Sequence, residues 1–134
     1  MKKRIISAAL ALILLFAALG CGWKALPGAG TYLIDITLEG GTGKAKIASP
    51  AELTVFQDGT ATLIVIWSSD KYDYMLVDGE RYEPAIRDGH SIFAIPVKSI
   101  QTPLSVIADT TAMSTPHEVE YTITFDAASL APAS

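Results

Sequence analysis

The 134-residue sequence has no asparagine, one cysteine and two histidines. A single cysteine excludes an intrachain disulfide, so one hydrophobic core must hold the fold unaided. Positive charge is also scarce. Lys2, Lys3 and Arg4 open an apolar leader; without them the ten Lys and Arg fall to seven against 14 Asp and Glu, and the formal charge moves from −4 to −7. No Lys/Arg run follows the leader, which excludes nucleic acid as a partner, since phosphates demand a positive footprint. Helical stripes are missing too: after the leader no window of about eleven residues spaces its apolar positions by three and four. No internal repeat is visible.

What is present first is an export signal. Ile5 to Leu19 is apolar but for Ser7, follows a tribasic start and precedes Gly20-Cys21, the charge, apolar and small-residue order of a secretory leader. Residues 1–20 are expected to be a signal peptide. Ala18-Leu19-Gly20-Cys21 resembles a bacterial lipobox, in which the cysteine receives a lipid and the chain is cut before it. The lipobox implies that Cys21 is lipidated and anchors the chain to the outer side of the cell membrane. The competing reading is an uncleaved helix, because the uncharged stretch Ile5 to Trp23 has about the length that crosses a bilayer. Either way the domain lies outside the cytoplasm. Residues 21–30, with Gly, Pro and little periodicity, read as a tether.

From Thr31 the pattern is that of strands. Tyr32, Ile34, Ile36 and Leu38 alternate with Leu33, Asp35 and Thr37, the period of a strand with one buried face. The alternation recurs in Leu53–Val55, Ala61–Trp67, Tyr74–Val77, Glu80–Tyr82, Ile92–Ile95, Leu104–Ala108 and Glu118–Phe125. Asp58-Gly59, Asp78-Gly79 and Asp88-Gly89 fall between such runs. Asp-Gly tolerates the positive φ of hairpin turns, and without asparagine Asp carries that task alone. Seven or eight short antiparallel strands predict an all-β, immunoglobulin-like β-sandwich over residues 31–126. Residues 127–134, mostly small, are expected to be a flexible tail. Tyr72, Tyr74 and Leu76 are expected to share one strand face.

Little in the chain supports catalysis. Gly40-Gly41-Thr42-Gly43-Lys44 lacks the first glycine of a phosphate loop, with Leu38 in its place, and Ala45 stands where a magnesium-binding hydroxyl belongs. The serines and the two histidines sit in no nucleophile elbow or zinc-protease helix, so no enzyme activity is expected. Two segments do gather binding chemistry. Trp67 to Met75 carries Trp67, Tyr72, Tyr74 and Met75, rigid aromatic area and a thioether suited to a flat ligand or a partner surface. Ala108 to His117 is dominated by hydroxyl and ligating groups, with Met113 and His117 among them.

Taken in order, Ser49-Pro50-Ala51, Gly59, Trp67-Ser68-Ser69, Tyr74-Met75-Leu76-Val77-Asp78-Gly79, Ile95-Pro96-Val97, the string His117-Glu118-Val119-Glu120-Tyr121 and Phe125 make Tyr32 to Phe125 resemble the near-iron-transporter (NEAT) domain. The resemblance implies an immunoglobulin-like fold, export to the surface of Gram-positive cells and, in many members, haem binding. In haem-binding members a Tyr-x-x-x-Tyr string supplies the iron ligand and then a supporting Tyr, and a short serine-rich helix forms a lip over the ring. By position His117 to Tyr121 matches the string, with His117 in the ligand's place, and Ser68 to Met75 matches the lip. Imidazole also ligates haem iron. The implied site is therefore His117 on the metal, Tyr121 beside it, and Tyr72, Tyr74, Met75 and Met113 around the ligand. Two functions follow: a surface-tethered module that captures haem or another iron or tetrapyrrole compound for a transporter, or a non-catalytic protein–protein interaction domain of the cell envelope.

Overall fold

The computed structural model describes residues 25–112 and 117–133. The leader, Cys21 and Met113 lie outside the described residues. Nine strands follow one another among the described residues: β1 (Gly30–Gly40), β2 (Ala51–Val55), β3 (Ala61–Ile66), β4 (Tyr72–Val77), β5 (Glu80–Tyr82), β6 (Ala85–Arg87), β7 (His90–Pro96), β8 (Leu104–Thr110) and β9 (His117–Pro132). Their pairings are antiparallel, in the order β5-β4-β8-β9-β1-β2-β3-β7-β6. β1 belongs to both halves of this curled sheet. Its start pairs with β2, from Gly30↔Val55 to Ile34↔Ala51, while Asp35 to Gly40 pairs with β9. The sheet thereby folds over itself into a sandwich.

The alternation read from the sequence decides what the sandwich encloses. Ile34 and Ile36 of β1, Leu53 and Val55 of β2, Leu63 and Val65 of β3, Phe93 and Ile95 of β7, and Ile123 and Phe125 of β9 all point inward and are buried. Each such side chain removed from water contributes roughly 1.5–3 kcal/mol before the entropy of ordering it is subtracted.

The three Asp-Gly pairs are turns of two kinds. Asp78 (φ 52°) with Gly79 (φ 79°), and Asp88 (φ 51°) with Gly89 (φ 82°), form two-residue hairpins closing Val77↔Glu80 and Arg87↔His90. Two successive positive φ values match the right-handed strand twist. Asp58-Gly59 sits instead in a wider loop: only Gly59 is left-handed (φ 89°), and the Asp58 carboxylate accepts from the Thr60 N–H at 2.9 Å and its hydroxyl at 2.7 Å.

Two expectations need correction. Residues 127–132 do not fray but complete β9. After an irregularity following Asp126 the strand rejoins β1 at Ala131↔Leu33 and Pro132↔Tyr32. The detour is held because the Ser129 hydroxyl donates to Asp126 O at 2.6 Å and accepts from Asp35 N–H at 2.8 Å, while Ala127 and Leu130 pack against the core. Tyr72 and Tyr74, in turn, do not share a face. In the pairing of β4 with β8, Tyr72↔Thr110 is followed by Tyr74↔Asp109, so Asp73 is an extra residue in a bulge. The bulge inverts the alternation, turning Tyr72, Met75 and Val77 inward and Tyr74 and Leu76 outward.

Candidate ligand-binding site

At one end of the sandwich the segment after β3, the glycine loop after β1 and the start of β9 surround a cavity of about 380 Å³, lined by Lys44, Ser68, Ser69, Tyr72, His117 and Tyr121 among others. This size is at the small end of ligand pockets. Its floor is aromatic. Trp67, fully buried at the end of β3, stacks on Tyr72 with ring centroids 4.1 Å apart and planes inclined by 23°. Tyr121 meets the same indole edge-on at 5.3 Å. Tyr72 is pinned from behind, its N–H donating to the buried Ser91 hydroxyl at 3.2 Å. The Tyr72 phenol is pushed up to about 12, first by burial and then by the Tyr121 phenol beside it, so it remains a neutral hydrogen-bonding group across the physiological range. The Trp67 Nε1–H is buried with no partner among the described residues.

The walls follow from strand period and glycine. His117, Val119 and Tyr121 are alternate residues on one face of β9 and all line the cavity, because residues i, i+2 and i+4 of a strand point the same way. His117 sits exposed at the rim and Tyr121 is buried at the base, roughly 13 Å apart along the strand at about 3.3 Å per residue. The glycine loop, which carries no phosphate-loop chemistry, is a wall. A Cβ on Gly40 would come within 2.5 Å of Glu120 O, and one on Gly41 (φ 61°) would press on Val119 and the Tyr121 ring. Glycine lets the loop close over Tyr121 and brings in Lys44, the one lysine or arginine among the described lining residues. No carboxylate is among them either, which favours a neutral or anionic ligand.

The structure thus brings Tyr72, His117 and Tyr121 together and leaves out two of the residues expected with them. Met75 is fully buried in the core. Tyr74 lies on the outer face, its hydroxyl donating to Glu118 and its ring covered by the Arg81 guanidinium at 4.0 Å. The Asp73 bulge is the cause of both placements. Nor is the expected lip helical. Ser68 to Asp70 is a bend, tied down by Ser68 N–H to Lys46 O and Ser91 N–H to Ser69 O, both at 2.9 Å, and Tyr72 already begins β4. Sequence reasoning missed Gly41, Thr42, Lys44 and Ala45 as lining residues. The signal was a lysine among glycines directly after a strand.

No family model matches the chain, and no curated protein matches it. Solved structures do. The chain is similar to the haem complex of the NEAT5 domain of IsdX2, a B. anthracis hemophore, with a TM-score of 0.58, 17% identity, and coverage of 73% of this chain and 96% of that one. The haem complex of a mutant form of IsdX2-NEAT5 superposes with a TM-score of 0.60, again at 17% identity, covering 75% and 97%. The fold is accordingly the immunoglobulin-like sandwich of NEAT domains.

Proposed function

We propose that the cavity captures haem, with His117 on the iron and the Tyr72–Tyr121 pair beneath the ring. The observation that carries this reading is the convergence of an imidazole, two phenols and an aromatic floor on one cavity with no carboxylate among its described lining residues. The donor set fits the group, because imidazole and phenol are both axial ligands of haem iron. A flat macrocycle would suit the Tyr72 and Tyr121 rings that line the cavity, backed by the buried Trp67, and Lys44 with the Ser68 and Ser69 hydroxyls would hold its two carboxylates at the rim. When bound, haem supplies the metal and its absorbance; the chain supplies the ligand, the dry floor and the rim. The haem complexes of the similar NEAT5 domain support the same ligand.

A haem titration of the protein tests this. A Soret band should develop at micromolar haem, be lost or strongly shifted in His117→Ala, and weaken by only about 0.5–1.5 kcal/mol in Tyr121→Phe, the worth of one neutral hydrogen bond. No absorbance change at tens of micromolar, or a His117→Ala variant that binds like wild type, would leave a protein–protein interaction domain as the better reading. We infer the location from the leader. A lipid on Cys21 tethers the domain to the outer side of the membrane, where it hands the iron compound to a transporter.

A further inference from the structure

A second concavity, about 650 Å³, lies on the outer face of the β4-β8-β9-β1 sheet. Strand register composes it row by row. Leu76 pairs with Ile107 and Ile107 with Glu120; in the next row Ser105 pairs with Thr122 and Thr122 with Glu39. The floor is therefore two half-exposed aliphatic side chains, and the β9/β1 side is a wall of carboxylates, Glu120 and Glu39. Asp78, ion-paired with Lys98 at 3.6 Å, closes the opposite end, and Arg81 pairs with Leu76 at the outer edge of the row. The carboxylates of the lining that have no ion pair among the described residues are Glu39 and Glu120. The neighbouring row holds Asp109 and Glu118, partly offset by the Arg81 guanidinium over Tyr74. Crowding here is physical: Asp109 is pushed up to about 6 by burial and then by Asp73 and Glu118.

We propose that this groove docks a cationic segment of a partner protein, one that alternates lysine or arginine with aliphatic residues. An apolar floor gains from aliphatic side chains laid on it, and an uncompensated carboxylate wall selects basic ones and speeds their encounter. An anionic membrane surface is repelled by the same field. A metal ion is a poorer fit, since no group of three or more ligating side chains exists among the described residues. The placement adds meaning. On β9 the even residues Glu118, Glu120 and Thr122 face the groove side and the odd residues His117, Val119 and Tyr121 face the cavity. A partner seated in the groove would lie against the back of the strand that carries the cavity residues.

The test uses the full chain and fluorescein-labelled octapeptides followed by anisotropy at low salt. An alternating Lys-Leu peptide should bind, about tenfold more weakly to the Glu39→Lys/Glu120→Lys double variant and several-fold more weakly to Ile107→Thr. A Lys-Ser peptide of equal charge should bind several-fold more weakly than Lys-Leu. Absent binding of the Lys-Leu peptide, equal binding by the double variant, or equal affinity for Lys-Ser overturns the proposal. Circular dichroism verifies that the variants are folded. Should Glu39→Lys/Glu120→Lys fail that check, Glu39→Gln/Glu120→Gln replaces it and must weaken binding likewise. Haem titration runs in parallel, so failure of the cavity reading and failure of the groove reading are read separately.

Discussion

Replacing Asp109 by Asn should make the domain more stable at neutral pH and leave its stability nearly unchanged in mild acid. Asp109 is only 3% exposed although it points out of the sandwich. Asp73 and Tyr74 of β4, Arg81 of β5 and Glu118 of β9 surround it. Burial, then the hydrogen bond and charge of Asp73, then Glu118, raise its carboxyl from the ordinary 3.8 to about 6, against the opposing pull of Arg81. A carboxyl whose folded value is raised stabilises the fold fully below its unfolded value and loses that contribution as pH rises through the folded value. The window is thus about pH 4 to 6. Two units would correspond to about 3 kcal/mol in a sealed site, but the surrounding charges are open to water, so roughly 1–2 kcal/mol is expected. Asn keeps the shape and a hydrogen-bonding amide without the charge. Urea unfolding followed by tryptophan fluorescence at pH 4.5 and 7.5 reads the effect: Asp109→Asn should raise the midpoint at 7.5 and leave it nearly unchanged at 4.5. A variant equally or less stable at both pH values would refute the reasoning.

Other perturbations give equally direct outcomes. Gly79→Val forces a β-branched residue to φ 79° in the β4–β5 turn and should cost about 1–3 kcal/mol, seen as a lower melting temperature. Cys21→Ala should release the protein from the membrane fraction or block its processing; unchanged mass and fractionation would favour the uncleaved helix.

The fold was largely legible because its two determinants are local. Period-two alternation places Ile34, Leu53, Leu63, Phe93 and Ile123 inward whatever their partners are, and two Asp-Gly pairs fix hairpins by backbone sterics alone. The end of the chain was not legible for the complementary reason. Ala127 to Pro132 has small residues with weak strand preference, and its order comes from Ser129 bonding to Asp126 and Asp35 and from pairing with Leu33 and Tyr32, remote in sequence.

The site divides along the same line. His117, Val119 and Tyr121 share a face because β9 is regular there, and counting by two suffices to put them together. Tyr72, Tyr74 and Met75 could not be sorted by counting, since one inserted residue, Asp73, exchanges the two faces of β4. What selects the bulge is not in the segment itself. Tyr72 is drawn inward by the Trp67 ring and the Ser91 hydroxyl, and Tyr74 outward by Glu118 and Arg81. Both sets of partners lie outside β4. The same exchange of faces that removes Tyr74 from the cavity also assembles the acidic outer surface, where Tyr74 pairs with Asp109 and the groove begins at Leu76. One bulge therefore separates two surfaces of opposite character: a cavity whose described lining has no carboxylate in front of β9, and a carboxylate-walled groove behind it.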